Sequence, residues 1–312
     1  MRIERVSDLS QPEFLARYVE PNQPVIVVDA MQLWPARQKW TPAYLTQVLG
    51  ELEVQVYNEL FDLVNVSTLE AYFATNFNRL DDNLSSDYVR WYSQLKNVDF
   101  FWSNQAFARL AADWSTPAFL PQEGYIVPGN GGLVDAQSSL FPYRGLFISG
   151  RGARTRLHRD PWTTSAMLCQ FYGSKQVTMY PPEQACYLMN GSAFADPLRP
   201  DRLRFPELAK ATPRYIDVLQ PGEVLFIPSN WLHHVESLED SISVTWNFIH
   251  AAGRARLCAH LQQYPQDSEL DVLRFFLADL VPPHADAAQI IARLEQGGVQ
   301  QQAVPEIEEF VI

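Results

Sequence analysis

Two short segments constrain this chain of 312 residues more than any other feature. The first contains His158 and Asp160, separated by one residue, and the second contains the adjacent pair His233 and His234. In an extended strand, residues i and i+2 point to the same face, so His158 and Asp160 can reach one metal ion while Arg159 points away. The pattern therefore predicts a strand that presents two metal ligands, with a third supplied by the histidine pair.

The donor set indicates which metal such a site would hold. Two imidazole nitrogens and one carboxylate oxygen, with the remaining coordination positions open, are the ligand set of non-haem Fe(II) oxygenases. A single H-x-D motif is nevertheless common by chance, and it more often makes a surface hydrogen bond than a metal site. Neighbouring residues of a strand point to opposite faces, so only one of His233 and His234 is expected to bind the metal.

The charge and the hydrophobic content of the chain narrow its class. The chain has 36 acidic and 24 basic residues, which gives a formal net charge of -12 at pH 7. This balance argues against a nucleic-acid partner held mainly by charge and against a membrane-surface protein. Hydrophobic residues make up 47% of the chain, which is enough for one large folded domain or two ordinary ones.

The cysteines and the apolar runs bear on the compartment. Cys169, Cys186 and Cys258 are scattered without a C-x-x-C spacing, so neither a structural zinc site nor a disulfide framework is expected. The first residues lack the apolar centre of a secretory signal, and no run of 18 apolar residues follows. We therefore expect a cytoplasmic protein without a membrane partner.

From Tyr143 onward, short strand-like runs alternate with turn signals. The predicted strands span residues 145–149, 155–160, 166–172, 175–180, 215–219, 224–227 and 241–248. The last of them alternates small polar residues such as Thr245 with large apolar residues such as Trp246. Short strands at this spacing are typical of an antiparallel sandwich or barrel.

The C-terminal part of the chain changes to a helical pattern. Leu270, Leu273, Leu277 and Leu280 recur at the spacing of one helix face. Two interpretations of this stripe stay open. The helices either pack on the sheet of their own chain, or residues 268–296 form or support a homodimer.

Taken in order, these segments resemble the JmjC-domain and cupin-like Fe(II)- and 2-oxoglutarate-dependent oxygenases. The resemblance covers residues 20–250. Each motif alone is weak, whereas their order and spacing together are specific. The matching segments are Thr155-x-x-His158-x-Asp160-Pro161, Gly173-Ser174-Lys175 with Tyr180-Pro181-Pro182, Pro221-Gly222-Glu223 with Pro228, Trp231-x-His233-x-Val235 and Thr245-x-Asn247-Phe248.

The resemblance implies a mainly β fold with flanking helices. Its centre would be a double-stranded β-helix, the jelly roll of cupins and JmjC domains, formed by residues 141–250. Residues 1–140 would form a mixed region of helices and strands that packs on this barrel. Residues 251–312 would form a helical C-terminal region.

The resemblance also assigns roles to individual residues. It makes His158, Asp160 and His233 the ligands of Fe(II), because the W-x-H-x-V spacing of the family selects His233 over His234. Lys175 is expected to bind the distal carboxylate of 2-oxoglutarate, since a buried ammonium group needs an anion.

Other residues are expected to complete the co-substrate site. Thr155 and Thr245 resemble positions whose hydroxyls assist the distal carboxylate, and Asn247 resembles a polar neighbour on the same strand face. The family also uses a tyrosine well upstream of the first ligand. Tyr92 fits that region, as does Trp91.

The implied activity is the hydroxylation of a C–H bond in a protein or peptide side chain. It would consume O₂ and 2-oxoglutarate and release succinate and CO₂. An alternative is hydroxylation of a small molecule or an RNA base, although the acidic balance counts against RNA. Histone-lysine demethylation is disfavoured because no reader or zinc module is visible. A non-catalytic cupin that only binds is also disfavoured, since such a scaffold has no need of Lys175 beside an intact triad.

Overall fold

The computed structural model describes residues 1–79, 87–92, 101–129, 133–268, 270–278 and 280–296, with the backbone alone at residues 92 and 101–104. The strands are β1 (Arg5–Val6), β2 (Val25–Val27), β3 (Glu53–Tyr57), β4 (Leu63–Thr68), β5 (Tyr88–Tyr92), β6 (Tyr125–Val127), β7 (Gly145–Ser149), β8 (Arg154–His158), β9 (Ser165–Tyr172), β10 (Lys175–Tyr180), β11 (Met189–Asn190), β12 (Ala193–Phe194), β13 (Tyr215–Leu219), β14 (Val224–Ile227), β15 (Leu232–Ser237) and β16 (Ser241–His250).

Short helices precede, interrupt and follow the strands. The α-helices are α1 (Gln11–Phe14), α2 (Ala36–Lys39), α3 (Pro42–Leu49), α4 (Leu69–Asn76), α5 (Phe101–Leu110), α6 (Ala185–Leu188), α7 (Arg254–Gln263), α8 (Leu270–Phe276) and α9 (Ala287–Glu295). A π-helical segment spans Leu15–Val19, and 3-10 segments span Ala111–Asp113, Pro161–Thr163, Pro182–Gln184, Leu208–Lys210 and Ala251–Gly253.

Local sequence sets where several of these helices begin. The Ser10 side chain accepts a hydrogen bond from the Glu13 N–H, and the Glu13 carboxylate returns to the Ser10 backbone in a capping box. Thr68 caps α4 by accepting a hydrogen bond from the Ala71 N–H alone, and Asp286 forms a second capping box with Gln289 at the start of α9. These caps satisfy N–H groups that have no partner within the helix.

Eight of the ten strands between Gly145 and His250 are divided between two facing sheets, and within this set the neighbouring strands pair antiparallel. β7, β9, β14 and β16 belong to a large sheet with the order β1-β2-β14-β9-β16-β7-β5-β3-β4, and β6 pairs with β16. β8, β10, β13 and β15 form a small sheet with the order β13-β10-β15-β8. This winding is that of a double-stranded β-helix, so the predicted mainly β fold with flanking helices is confirmed.

The central strand β16 separates an apolar layer from the space between the sheets. Val244, Trp246 and Phe248 are buried in the main hydrophobic core, outside the large sheet. The alternate residues Thr245 and Asn247 line a cavity on the inner face. Because successive side chains of a strand point to opposite faces, one strand serves both the core and the site.

Residues before Tyr143 extend and cover the large sheet. β2 pairs with β14 at one side, and β5 pairs with β7 at the other. Aromatic rings from the N-terminal helices pack on the outer face. The ring centroids of Phe14 and Phe226 are 4.9 Å apart, and those of Trp40 and Phe171 are 4.4 Å apart.

The C-terminal helices pack on the remaining flank, and none of the described helices is long and apolar enough to cross a membrane. Leu270, Leu273 and Leu277 are buried with Trp162 and Ile249 in a second hydrophobic cluster. The leucine stripe is therefore covered by its own chain, which removes the physical reason for expecting a dimer there. The homodimer itself stays a prediction.

Leu273→Ala should lower the free energy of unfolding by about 2–5 kcal/mol, because it leaves a cavity in this cluster. Phe275→Ala on the same helix is the matched control, since Phe275 is 60% exposed whereas Leu273 is 0% exposed. It should change the stability by less than about 0.5 kcal/mol. Urea denaturation followed by circular dichroism measures both. Equal losses in the two variants would contradict this packing of α8.

Candidate metal centre

Two histidines face each other across the small sheet. In the pairing of β8 with β15, His158 is directly opposite His233, and the two ring centroids are 4.3 Å apart. Nδ1 of His158 lies 2.8 Å from the Arg156 carbonyl oxygen, and Nδ1 of His233 lies 3.0 Å from the Trp231 carbonyl oxygen. A carbonyl only accepts, so each Nδ1 carries the hydrogen and each Nε2 keeps a lone pair for a metal.

A carboxylate completes the group. Strand β8 ends at His158, and Asp160 follows with an extended backbone just before the 3-10 segment. The Asp160 side chain does not cap the N–H groups of that segment. His158, Asp160 and His233 each offer one ligand atom, and these atoms all lie within 4.8 Å of one another. The predicted H-x-D pair is thus brought together with one histidine, although Asp160 itself lies beyond the strand.

The electrostatics of this cluster fit a divalent cation. Burial, reinforced by the neighbouring His233, holds the pKa of His158 well below its usual value, so its imidazole is neutral. Burial raises the pKa of Asp160, although His233, Asn247 and Arg90 oppose the rise. Neutral imidazoles and a poorly solvated carboxylate that point to one spot are the donors a divalent cation stabilises.

His234 lies on the opposite face of the same strand. It pairs with Thr178 of β10, and it is not a member of the cluster. Burial, and after it the nearby positive charge of Arg154, lowers the pKa of His234 to about 4. Arg154 is bound in turn by Asp196 and Glu59, with N–O distances of 3.0 and 2.6 Å. His234 therefore belongs to a buried polar group outside the barrel.

The cluster opens into a cavity of about 480 Å³ between the two sheets. This volume is in the range of pockets that hold small ligands. Phe61, Tyr143 and Phe147 supply aromatic walls. The other predicted co-substrate residues with described side chains line the same cavity, namely Thr155, Lys175, Thr245 and Asn247.

A β-bulge explains how Thr155 reaches this cavity. His158 and Thr155 are three residues apart, so a regular strand would point them to opposite faces. The β8–β15 register shifts between His233 and Val235, which pair with His158 and Thr155 respectively. The extra residue on β8 returns Thr155 to the metal side, which is a common use of bulges next to active sites.

Lys175 is a buried cation on the inner face of the small sheet. It is the first residue of β10 and is 6% exposed. Its Nζ donates a hydrogen bond to Ser243 Oγ at 3.0 Å, and it forms no ion pair with any described residue. Burial lowers its pKa to about 8. A buried ammonium group of this kind lacks the anion that would stabilise its charge, so the cavity suits a carboxylate ligand.

The aromatic stretch of β5 could be assigned to a face only from the structure. The side chain of Tyr92 lies outside the described residues, and Trp91 is buried in the outer core. Arg90 lines the cavity instead. Tyr88 is on the same face as Arg90, and its buried hydroxyl has no hydrogen-bond partner among the described residues. If the start of β5 had been known, the alternation of side chains along a strand would have placed Tyr88 and Arg90 on the same face.

Phe61 is a further residue that the sequence did not reveal. It lies at the tip of the β3–β4 hairpin with a φ of 66°. Its ring meets that of His158 edge-on, with 5.2 Å between the centroids. The neighbouring Glu59 fixes the hairpin tip by accepting hydrogen bonds from Arg154 and Arg199. No local pattern signals that a hairpin tip will reach a residue so distant in the chain.

A double-stranded β-helix with a His-Asp-His cluster between its sheets is a cupin-type architecture whose cluster could hold a metal ion. The sequence profile of the Cupin-like domain matches residues 11–253, and the chain belongs to this family. The resemblance drawn from the motifs is thereby confirmed at the level of the family.

Several characterised proteins are similar to this chain. "Arginine-specific demethylase JMJ22" of Arabidopsis thaliana is 28% identical over 79% of this chain and 46% of its own length. "2-oxoglutarate and iron-dependent oxygenase JMJD4" of Gallus gallus is 26% identical over 83% of this chain and 63% of its own length. "tRNA wybutosine-synthesizing protein 5" of Gallus gallus is 28% identical, with 80% of this chain and 79% of that protein covered. The chain thus spans about half of the length of the first of these proteins and about two thirds of the length of the second.

Replacement of His233 by Ala should abolish tight binding of Fe(II), because the cluster loses one of its three ligands. His234→Ala is the matched control on the adjacent residue, and it should retain one metal ion per chain. Metal content after anaerobic loading and gel filtration measures both variants. Retention in His233→Ala together with loss in His234→Ala would show that the other histidine is the ligand.

Proposed function

We propose that this chain is an Fe(II)- and 2-oxoglutarate-dependent oxygenase that hydroxylates a C–H bond in a protein or peptide side chain. The observation that carries the proposal is a single cavity lined by both the His158–Asp160–His233 cluster and the buried cation Lys175. A metal alone would require only the cluster. The two features together suit a metal and a dicarboxylate bound side by side.

His158, Asp160 and His233 are the residues that would hold the iron. When it is bound, the iron supplies oxidative chemistry, in which O₂ and 2-oxoglutarate are consumed and succinate and CO₂ are released. The backbone carbonyls of Arg156 and Trp231 hold the two imidazole rings in the orientation that points Nε2 at the metal. Such outer contacts typically contribute 10- to 100-fold to metal affinity, as an order of magnitude.

Lys175 is the residue that would bind the far carboxylate of 2-oxoglutarate. Ser243 orients its ammonium group, and the Thr155 and Thr245 hydroxyls line the same cavity. The Tyr88 hydroxyl is buried beside Thr155, which lines the cavity, although Tyr88 is not itself among the lining residues. We therefore give Tyr88 the role that the motifs suggested for Tyr92.

The aromatic side chains that border the cavity would exclude water from it. Phe61, Tyr143 and Phe147 border the cavity, and Phe61 contacts the ring of His158. Apolar walls exclude bulk water from the reacting atoms, which strengthens the electrostatic interactions within the cavity. Asn247 donates a hydrogen bond to Thr164 Oγ1 at 3.2 Å and helps to keep the Asp160 carboxylate ionised.

The second candidate is hydroxylation of a small molecule or an RNA base. One similar protein is named as a tRNA wybutosine-synthesizing protein, which gives the RNA alternative a specific basis. The net charge of -12 disfavours it, because a polyanion would be repelled by most of the surface. A binding-only cupin is disfavoured by the buried charge of Lys175, which such a scaffold would keep at a cost in stability.

Two further expectations remain proposals. Cys169, Cys186 and Cys258 are free thiols, which fits the reducing cytoplasm expected from their spacing. A homodimer through residues 268–296 is retained only as a hypothesis, because the leucine stripe that motivated it is buried within the chain.

The reaction is tested by incubating the iron-loaded protein with O₂, 2-oxoglutarate and a peptide pool. Formation of succinate that is stimulated by peptide, together with peptides heavier by one oxygen atom, supports the proposal. Succinate formation that responds to small metabolites or RNA but not to peptides would favour the second candidate. Absence of any turnover in a protein with full iron occupancy would contradict the oxygenase assignment.

Lys175→Ala should weaken 2-oxoglutarate binding by two or more orders of magnitude, because the far carboxylate would be buried without its counter-charge. Iron binding should survive, since Lys175 is not a ligand. An anaerobic titration of the Fe(II) protein with 2-oxoglutarate, followed by the metal-to-ligand charge-transfer absorbance, measures the change. Unchanged affinity in this variant would remove Lys175 from the co-substrate site.

The affinity for 2-oxoglutarate should also depend on pH. Burial lowers the pKa of Lys175 to about 8, so its ammonium group is present below that pH and is lost above it. Above pH 8 the binding of a dicarboxylate requires uptake of a proton, and the Kd should rise by up to about tenfold per pH unit. Lys175→Arg is the control, because its guanidinium does not titrate and should give weaker but pH-independent binding.

A further inference from the structure

The charge of the cavity is opposite to that of the chain. The described residues that line it include three cations, Arg90, Arg159 and Lys175, and one carboxylate, Asp160. Over the whole sequence, acidic residues outnumber basic residues by 36 to 24. A cleft lined by one sign of charge concentrates ligands of the other sign.

The proposed metal and co-substrate account for only part of this positive charge. The two charges of Fe(II) and the ammonium of Lys175 together balance the Asp160 carboxylate and the two carboxylates of 2-oxoglutarate. That part of the cavity is then neutral. The guanidinium of Arg159 then remains on the wall as an additional positive charge.

Arg159 is placed to meet a ligand that enters the cavity. The expectation that Arg159 points away from the metal side was wrong, because β8 ends at His158 and the half-buried Arg159 lines the same cavity as His158 and Asp160. Its guanidinium packs over the ring of Tyr264, with 5.7 Å to the centroid. It forms no hydrogen bond or ion pair with any of the residues that the structure describes. Its planar set of donors is therefore available for a carboxylate, which it can bind in a bidentate manner.

Arg90 also lines the cavity, where it packs against aromatic rings. Its guanidinium lies 4.5 Å from the ring centroid of Phe61 and 5.6 Å from that of Tyr57. Its charge acts on both His158 and Asp160. Aromatic faces hold a guanidinium in place without removing its charge. The wall beside the metal cluster is therefore electropositive as well as aromatic.

We propose that the substrate is an acidic peptide, with an Asp or Glu carboxylate bound by Arg159 next to the oxidised residue. This inference rests on the proposed function and names the substrate class of that same site. A methylated arginine or lysine side chain would instead bring a positive charge toward Arg90 and Arg159. Substrates of the kind named for the similar arginine-specific demethylase are accordingly disfavoured here.

A peptide fits the charge distribution better than RNA does. A single carboxylate inside the cavity senses mainly the nearby guanidinium groups, because charges farther away than about 8–10 Å are screened at physiological salt. A polyanion extends over the outer surface, where the net charge of -12 opposes it. The same cavity therefore attracts an acidic side chain and rejects a long nucleic acid.

The test is a binding measurement on the protein loaded with Mn(II), which replaces Fe(II) to prevent turnover, and 2-oxoglutarate. Rhodamine-labelled octapeptide pools with a central Asp or Glu are compared by fluorescence anisotropy with isosteric pools that have a central Asn or Gln. The acidic pools should bind at least tenfold more tightly at low salt. The difference should shrink at high salt, because the contact is partly exposed.

Variants locate the preference at Arg159. Arg159→Gln should bring the two kinds of pool to within twofold of each other, and Arg159→Glu should favour pools with a central Lys. Arg202→Glu is the matched control, because Arg202 is exposed and lies outside the cavity lining. It should preserve the acidic preference. Metal content and 2-oxoglutarate affinity of each variant show whether its site remains intact.

Several outcomes would overturn the inference. Equal binding of the acidic and amide pools is one, and absence of acidic-pool binding up to about 1 mM, the weak end of measurable affinity, is another. The third outcome is a short RNA hairpin that binds more tightly than the acidic peptide pools and loses this affinity in the Arg159 variants. That result would show that Arg159 recognises nucleic acid and not an acidic peptide. In each case, normal binding of Mn(II) and 2-oxoglutarate by the parent protein would leave the proposed function standing. If the parent protein bound neither Mn(II) nor 2-oxoglutarate, both the proposed function and the acidic-peptide inference would be contradicted.

Discussion

The site depends on the register in which β8 pairs with β15. His158 is directly opposite His233 in that register, and the side chains of a strand alternate between its faces. A slip of one residue would bring His234 into the barrel and turn His233 out of it. The same slip would pull Leu232 from the apolar cluster outside the small sheet, where it is fully buried. Burial of such a side chain stabilises the fold by about 1.5–3 kcal/mol, so ordinary hydrophobic packing holds the ligand histidine in place.

The barrel interior combines polar groups with an apolar cluster that includes Leu168, Val177 and Ile227, while the larger hydrophobic core lies outside the large sheet. The main core is on the outer face of the large sheet, where Trp246 and Phe248 of β16 meet rings from the N-terminal helices. The inner face carries groups that are unfavourable in an empty cavity, above all the ammonium of Lys175 and the carboxylate of Asp160. Ligands that neutralise these groups bind the folded state and stabilise it. On β16 the two faces are separate, since Trp246 and Phe248 belong to the core and Thr245 and Asn247 line the cavity, whereas on β9 Leu168 is both a core residue and a lining residue.

The sequence predicted those features that depend on local alternation. The H-x-D spacing and the two faces of β16 follow from strand periodicity, and they identified most of the cavity lining. The sequence did not show where β5 begins, so Arg90 and Tyr88, two and four residues before Tyr92, were missed. Phe61 could not be predicted, because its contact with His158 joins a hairpin tip to a distant strand. The leucine stripe of the C-terminal helices looks the same in sequence whether its own chain or a partner covers it.

Anomalous X-ray diffraction from crystals grown anaerobically with Fe(II) and 2-oxoglutarate tests the central claim most directly. We predict a single iron peak at coordination distance from one nitrogen each of His158 and His233 and from an oxygen of Asp160. The far carboxylate of the co-substrate should lie against Nζ of Lys175. An iron peak coordinated by His234, or a cluster that binds no metal under these conditions, would contradict the assignment of this cavity as the active site.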